Sequence, residues 1–243
     1  MRTRILLIVI TVFLVETQMA QELSLGIKGG GGYSWIKGRY DFKNFKKTEI
    51  NNVLFSQINF TLNYKLTKNM SLQTGLGYQV HAFDFKNDPW LDGLAYCGSY
   101  KSKYLSVPLL IALGKGDGII FHITAGFSLQ IILNVDNTTA LTSIFDGEVK
   151  VYDYSYDPSN EFNDFALSGI LGAGMEVPFS KNFGVTLDVS YQQGITKAVK
   201  DTDYDYDPHF WTDETPNNFQ NVRNCSVALN LGVVYSFSGT KDK

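Results

Sequence analysis

The chain has 243 residues, a formal net charge of −3, 44% hydrophobic and 14% aromatic residues, 22 glycines and only 6 prolines. That mix suits strands and tight turns and argues against disorder. The mildly acidic balance offers no basic footprint, so no nucleic-acid partner is expected. Beyond residue 20, no stretch reaches the ~20 continuous apolar residues that a membrane-crossing helix needs.

In chain order, Arg2 and Arg4 precede an apolar run from Ile5 to Val15, and residues 16–20 form a short polar exit. A basic start, a short apolar run and a small residue at the exit describe a secretory signal peptide. The run is too short to cross ~30 Å of hydrocarbon as a permanent helix. Cleavage is expected after Ala20, leaving residues 21–243 as one β-domain with a charge of −4 once Arg2, Arg4 and Glu16 are gone. The residue directly after that site is Gln21 and not a cysteine, so no lipoprotein anchor is expected.

From there the period is two. In 53–66, Leu54, Ile58, Phe60, Leu62, Tyr64 and Leu66 share one face, and Gln57, Asn59, Thr61, Asn63 and Lys65 the other. In 71–83, Leu72, Leu76, Tyr78 and Val80 alternate with Gln73, Gly75, Gly77, Gln79 and His81. Segments 119–134, 185–193 and 223–237 repeat the pattern, setting Phe127, Leu187 and Leu231 against Ser128, Asp188 and Gly232. Segments 23–35, 104–113 and 165–177, richer in Gly, Ala or Pro, complete eight strands.

The connections 68–69, 114–118 and 178–182 are short, whereas 36–52, 84–103, 135–164 and 195–222 are long and polar, and the two classes alternate. This predicts an all-β fold, a closed antiparallel up-and-down transmembrane β-barrel of about eight strands, with periplasmic turns and external loops. Polarity excludes a soluble barrel. The second face is Gly, Ser, Thr, Asn and Gln, which cannot fill a hydrophobic core but suit a narrow hydrated interior. Outward Leu, Ile, Val and Phe need lipid, and closure leaves no unpaired edge within it. Pro108 is discordant, because proline costs a ladder hydrogen bond.

Tyr104-Leu-Ser-Val-Pro-Leu-Leu resembles the Pro-containing strand of the PorT-like outer-membrane β-barrel family. Leu25-Gly-Ile-Lys-Gly-Gly, Asn163-Asp-Phe running into Gly172-Ala-Gly-Met-Glu, and Tyr191 through Gly194-Ile are similar too. The resemblance implies a small outer-membrane barrel. The family's namesake is an accessory of type IX secretion, so an envelope or secretion-system protein partner is one expectation.

Alternation puts Lys28, Lys65, His122, Glu176 and Asp188 on the inward face toward the periplasmic end. Charges sharing a narrow interior should pair, which predicts a salt-bridged plug. Tyr152-Asp-Tyr-Ser-Tyr-Asp-Pro in the third long loop resembles Asp203-Tyr-Asp-Tyr-Asp-Pro in the fourth. Tyr152, Tyr154, Tyr156, Tyr204, Tyr206 and Trp211 are expected on external hairpins, where they suit contact with a partner or glycan. Clustered Asp oxygens attract Ca²⁺, but no Gly turn or closing Glu stands at a calcium-loop spacing, so neither Ca²⁺ nor any cofactor is expected.

None of His81, His122 and His209 sits in a catalytic motif, so the chain is expected not to be an enzyme. His209 with the loop aspartates is the opening for a membrane hydrolase, and a small channel is a further alternative. Cys97 and Cys225 both fall toward the external side, where an oxidising compartment permits a bridge. Val233, Tyr235 and Phe237 form an alternating aromatic end consistent with recognition by the insertion machinery. The reading is an outer-membrane structural or interaction protein whose role is carried by its external loops or by a partner.

Overall fold

A computed structural model of the chain describes residues 23–41, 45–89, 94–116, 118–145, 148–154, 161–200 and 218–237. The signal peptide read at 1–20 lies outside them. Nine strands follow in order: β1 (Leu23–Asp41), β2 (Phe45–Thr67), β3 (Met70–Pro89), β4 (Leu94–Lys115), β5 (Ile120–Phe145), β6 (Glu148–Tyr154), β7 (Phe165–Pro178), β8 (Phe183–Gly194) and β9 (Asn218–Phe237). Eight of them close a ring in chain order. β4 pairs with β5, β5 with β7, and β9 returns to β1, all antiparallel. β6 stands outside the ring and pairs with residues 139–145 of β5.

Alternation decides the inside and the outside. Leu54, Phe60, Phe121, Leu171 and Leu231 are each 60% exposed or more, whereas Ser106, Ser128, Gln130 and Ser168 are at most 1% exposed. A soluble barrel does the reverse, so the exposed band needs a hydrocarbon solvent. On β5 that band runs from Phe121 to Leu133. At ~3.4 Å per residue and a tilt of ~40° it covers roughly 30 Å along the membrane normal, one hydrocarbon thickness. At the turn end Phe179 stacks on Phe183, and Phe183, Tyr235 and Phe237 meet edge to face. Trp35 and Tyr191, 6.3 Å apart, stand toward the hairpin end.

The short connections are as the sequence predicts. Asn69 N donates to Thr67 Oγ1 in the first, and Phe183 N to Ser180 Oγ in the third. The long connections differ: in the first three, most residues continue the strands past the membrane. β1 reaches Asp41, β3 reaches Pro89, and β5 reaches Phe145 before turning into β6. Their polar residues hide this from hydropathy, because the outward face of such a strand meets water instead of lipid.

Two irregularities set what faces the lumen. At the β4–β5 pairing, Lys103 faces Asn134 and Tyr104 faces Ile132, so Leu133 is an extra residue. The bulge shifts the inward series of β5 from even to odd positions, and Val135 and Asn137 become buried. Pro108 is accommodated where the β3–β4 register lapses, between Thr74–Leu109 and Gly77–Ser106. Gly75 lies in that gap with φ +157°. A Cβ there would collide with the Phe60 carbonyl, and Thr74 Oγ1 donates to Pro108 O at 2.8 Å.

Candidate functional site

The lumen is built in levels. Nearest the turn end, Asp188 on β8 accepts from Lys28 Nζ of β1 at 2.7 Å and from His122 Nε2 of β5 at 2.6 Å. The three side chains keep only 12–14% of their exposure. The carboxylate thus reaches past β9 on one side and β7 on the other, and glycines make the room. A Cβ on Gly174, the β7 partner of Asp188, would collide with Asp188 Oδ1. One on Gly232, the β9 partner of Lys28, would lie 2.6 Å from Lys28 Cγ. Glycine-rich strands, weak as sequence signals, are here the steric condition for the ion cluster. Glu176 lies within electrostatic reach of Lys28, Lys65 and His122. Three of the five charged residues read as inward therefore bond directly, and the other two share their end of the lumen.

Above this cluster lies a cavity of about 80 Å³ bordered by Lys28, Thr61, Ser106, Thr124, Asp188 and Asn230. It has room for a few waters. The hydroxyls of Thr61, Ser106 and Ser128 are buried here without a protein partner among the described residues.

A layer of amides follows. Gln79 Nε2 donates to Gln57 Oε1 at 3.1 Å and to Gln192 Oε1 at 3.5 Å. Gln130 Nε2 donates to Gln79 Oε1 at 2.9 Å, and Ser168 Oγ donates to Gln130 Oε1 at 2.8 Å. The bonds run through β2, β3, β5, β7 and β8, from wall to wall. His81 sits over them between Phe55, 4.7 Å away, and the edge of Tyr104, 5.6 Å away. Sequence reading identifies each glutamine as inward, but only the register shows that they meet.

The hairpin end carries an apolar cluster of Phe83, Phe85, Tyr100, Val135, Phe162, Ala198, Val199 and Val222. Phe83 and Phe85 continue the inward series of Gln79 and His81. Phe162 and Val199 come from the segments flanking β7 and β8 and meet in a single antiparallel bridge. Sequence reasoning missed this level. Its one available signal was a pair of phenylalanines on the polar face of β3.

On the outer wall, Lys103 Nζ meets Asp136 Oδ2 at 2.7 Å beyond the membrane band. The Lys103 hydrogen bond, aided by its charge, holds the Asp136 carboxyl below the usual carboxylate range. The same bond raises the Lys103 ammonium. Cys97 and Cys225 are free thiols, the first exposed and the second buried. Cys225 faces outward, as its register predicts, with Trp35 as its neighbour on β1 and Gln193 on β8.

Among the described residues no serine or cysteine hydrogen-bonds His122, whose partner is Asp188. No group of three metal-ligating side chains forms among them. Tyr152 and Tyr154 belong to β6, with side chains outside the described residues. Tyr156, Tyr204, Tyr206, His209 and Trp211 lie wholly outside them.

Several solved barrels are similar to this chain. OprG of Pseudomonas aeruginosa is 13% identical with a TM-score of 0.43, covering 90% of this chain and 97% of its own. Ail of Yersinia pestis, solved with the heparin analogue sucrose octasulfate, is 15% identical with a TM-score of 0.41, covering 90% and 100%. The outer-membrane protease OmpT of Escherichia coli is 10% identical with a TM-score of 0.33, covering 89% and 96%. These likenesses are distant, and no role is taken from them. No curated protein matches the chain in sequence. Residues 19–200 match the family described as "Outer membrane protein beta-barrel domain", and the chain, an outer-membrane β-barrel protein, belongs to that family.

Proposed function

We propose that this protein acts through its external hairpins, as a structural or interaction protein of the outer membrane, and that its bore does not conduct solutes. The observation carrying this reading is the succession of the Lys28–His122–Asp188 cluster, the glutamine layer and the apolar cluster across one lumen. An ion would have to displace a bonded carboxylate, part a wall-to-wall amide network and shed its hydration among aromatic rings, each step costly away from bulk water. What remains for function is the surface beyond the membrane, where β1 to β6 and β9 project. The chain reaches that location through the signal peptide read at 1–20, and on this reading it has no catalytic centre.

The test is planar-bilayer recording of the purified barrel. No stable conductance steps are expected from the wild type or from D188N alone, since two further levels remain closed. Reproducible steps in the wild-type protein would overturn the reading in favour of a small channel.

A further inference from the structure

We propose that the outer wall at the β1–β9 pairing binds the phosphate of an anionic lipid headgroup in the external leaflet, through Lys37 and Arg223. The two residues are direct cross-strand partners. They fall on the outward face, in series with the exposed Tyr33 and Val227 below them. Like charges directly opposite on a strand pair repel, and such a pair persists at little cost only where an anion can lie between the two. Among the described residues no acidic side chain bonds either one. The opposite wall differs: there Lys101 and Lys103 cluster, but Asp136 faces Lys101 across the strands and bonds Lys103 at 2.7 Å. One basic pair is neutralised from within the fold, and the other has no acidic partner among the described residues.

The surroundings match an amphiphile rather than a free ion. One step below the cations, Trp35 and Cys225 are cross-strand partners, and Trp35 stands 6.3 Å from Tyr191. Tyr191 OH donates to Gln193 Oε1 at 2.8 Å. Amphipathic rings of this kind settle at the membrane–water boundary. The cations therefore stand where headgroup phosphates lie, with an aromatic shelf beneath them for the upper acyl chain. Arg is suited to bidentate capture of phosphate oxygens, and Lys adds a point charge.

Trp35 supplies the readout. In a W90F/W211F background it is the remaining tryptophan, and bromine on a neighbouring acyl chain quenches it. The full barrel is reconstituted in phosphatidylcholine vesicles containing a small fraction of brominated phosphatidylglycerol or, separately, brominated phosphatidylcholine. Each cation near an anionic surface contributes about 1 kcal/mol, so the anionic lipid is expected to quench at a mole fraction roughly tenfold or more below the neutral one. K37Q/R223Q should abolish that preference, K101Q/K103Q should keep it, and millimolar inorganic phosphate should not compete. Heat-modified gel migration checks that every variant is folded. Equal quenching by both lipids, a preference that survives in folded K37Q/R223Q, an equal loss in K101Q/K103Q, or displacement by inorganic phosphate would each overturn the proposal.

Discussion

Replacing Asp188 by Asn strips the shared partner from Lys28 and His122 while keeping size and shape. Removing one member of a fully buried ion pair costs about 3–5 kcal/mol. The side chains here retain 12–14% exposure and border a polar cavity, which lowers the expected loss to about 2–3 kcal/mol. H122N should cost only about 1 kcal/mol, since the Lys28–Asp188 bond survives it. In a cycle of K28Q with D188N, the double variant should be less damaging than the two losses added, with a coupling of about 1–2 kcal/mol. The assay is reversible urea unfolding of the barrel in lipid vesicles, followed by tryptophan fluorescence, with m values compared so that midpoint shifts read as stability. A D188N loss below about 0.5 kcal/mol would refute the view that this carboxylate holds the lower lumen together.

Further outcomes follow from the same geometry. G174A places a methyl against Asp188 Oδ1 and should destabilise by about 1–3 kcal/mol, whereas alanine at Gly29, which meets nothing within 4 Å, should be nearly neutral in the same unfolding assay. F162A removes a ring that is 1% exposed in the apolar cluster and should cost about 3 kcal/mol, read as faster amide exchange at Val199 and Val222. Because the Lys103 hydrogen bond depresses Asp136, K103Q should raise the Asp136 titration midpoint in carboxyl NMR, and an unchanged midpoint would contradict the pairing. For wild type, the pair's contribution is complete above the unfolded carboxylate value of about 3.9 and is lost as pH falls through the lower folded value.

The barrel was legible because segments such as 53–66 and 119–134 carry two chemically opposite faces, which leaves little freedom in period or register. The inward positions of Lys28, His122 and Asp188 followed from counting in twos. Their mutual contact also depends on Gly174 and Gly232 being bare, which counting does not show. The reach of β5 to Phe145 was hidden, since in Asn134-Val-Asp-Asn-Thr-Thr the outward face leaves lipid for water and turns polar, so composition no longer separates it from the inward Val135 and Asn137. One extra residue at Leu133 reverses the faces of everything beyond it, a change invisible without the partner strand. The meeting of Phe162 with Val199 joins segments that only the ring brings together.

Cys97 gives the most direct test of the account's claim that β4 and its hairpin project outside the cell. It is exposed, and the other cysteine, Cys225, is buried. Intact cells are treated with a membrane-impermeant maleimide and the modified residue is located by mass spectrometry. Labelling of Cys97 on whole cells, with Cys225 protected until the barrel is unfolded, is the expected result. Labelling of Cys97 only after the outer membrane is broken would place the hairpins on the wrong side and contradict the account.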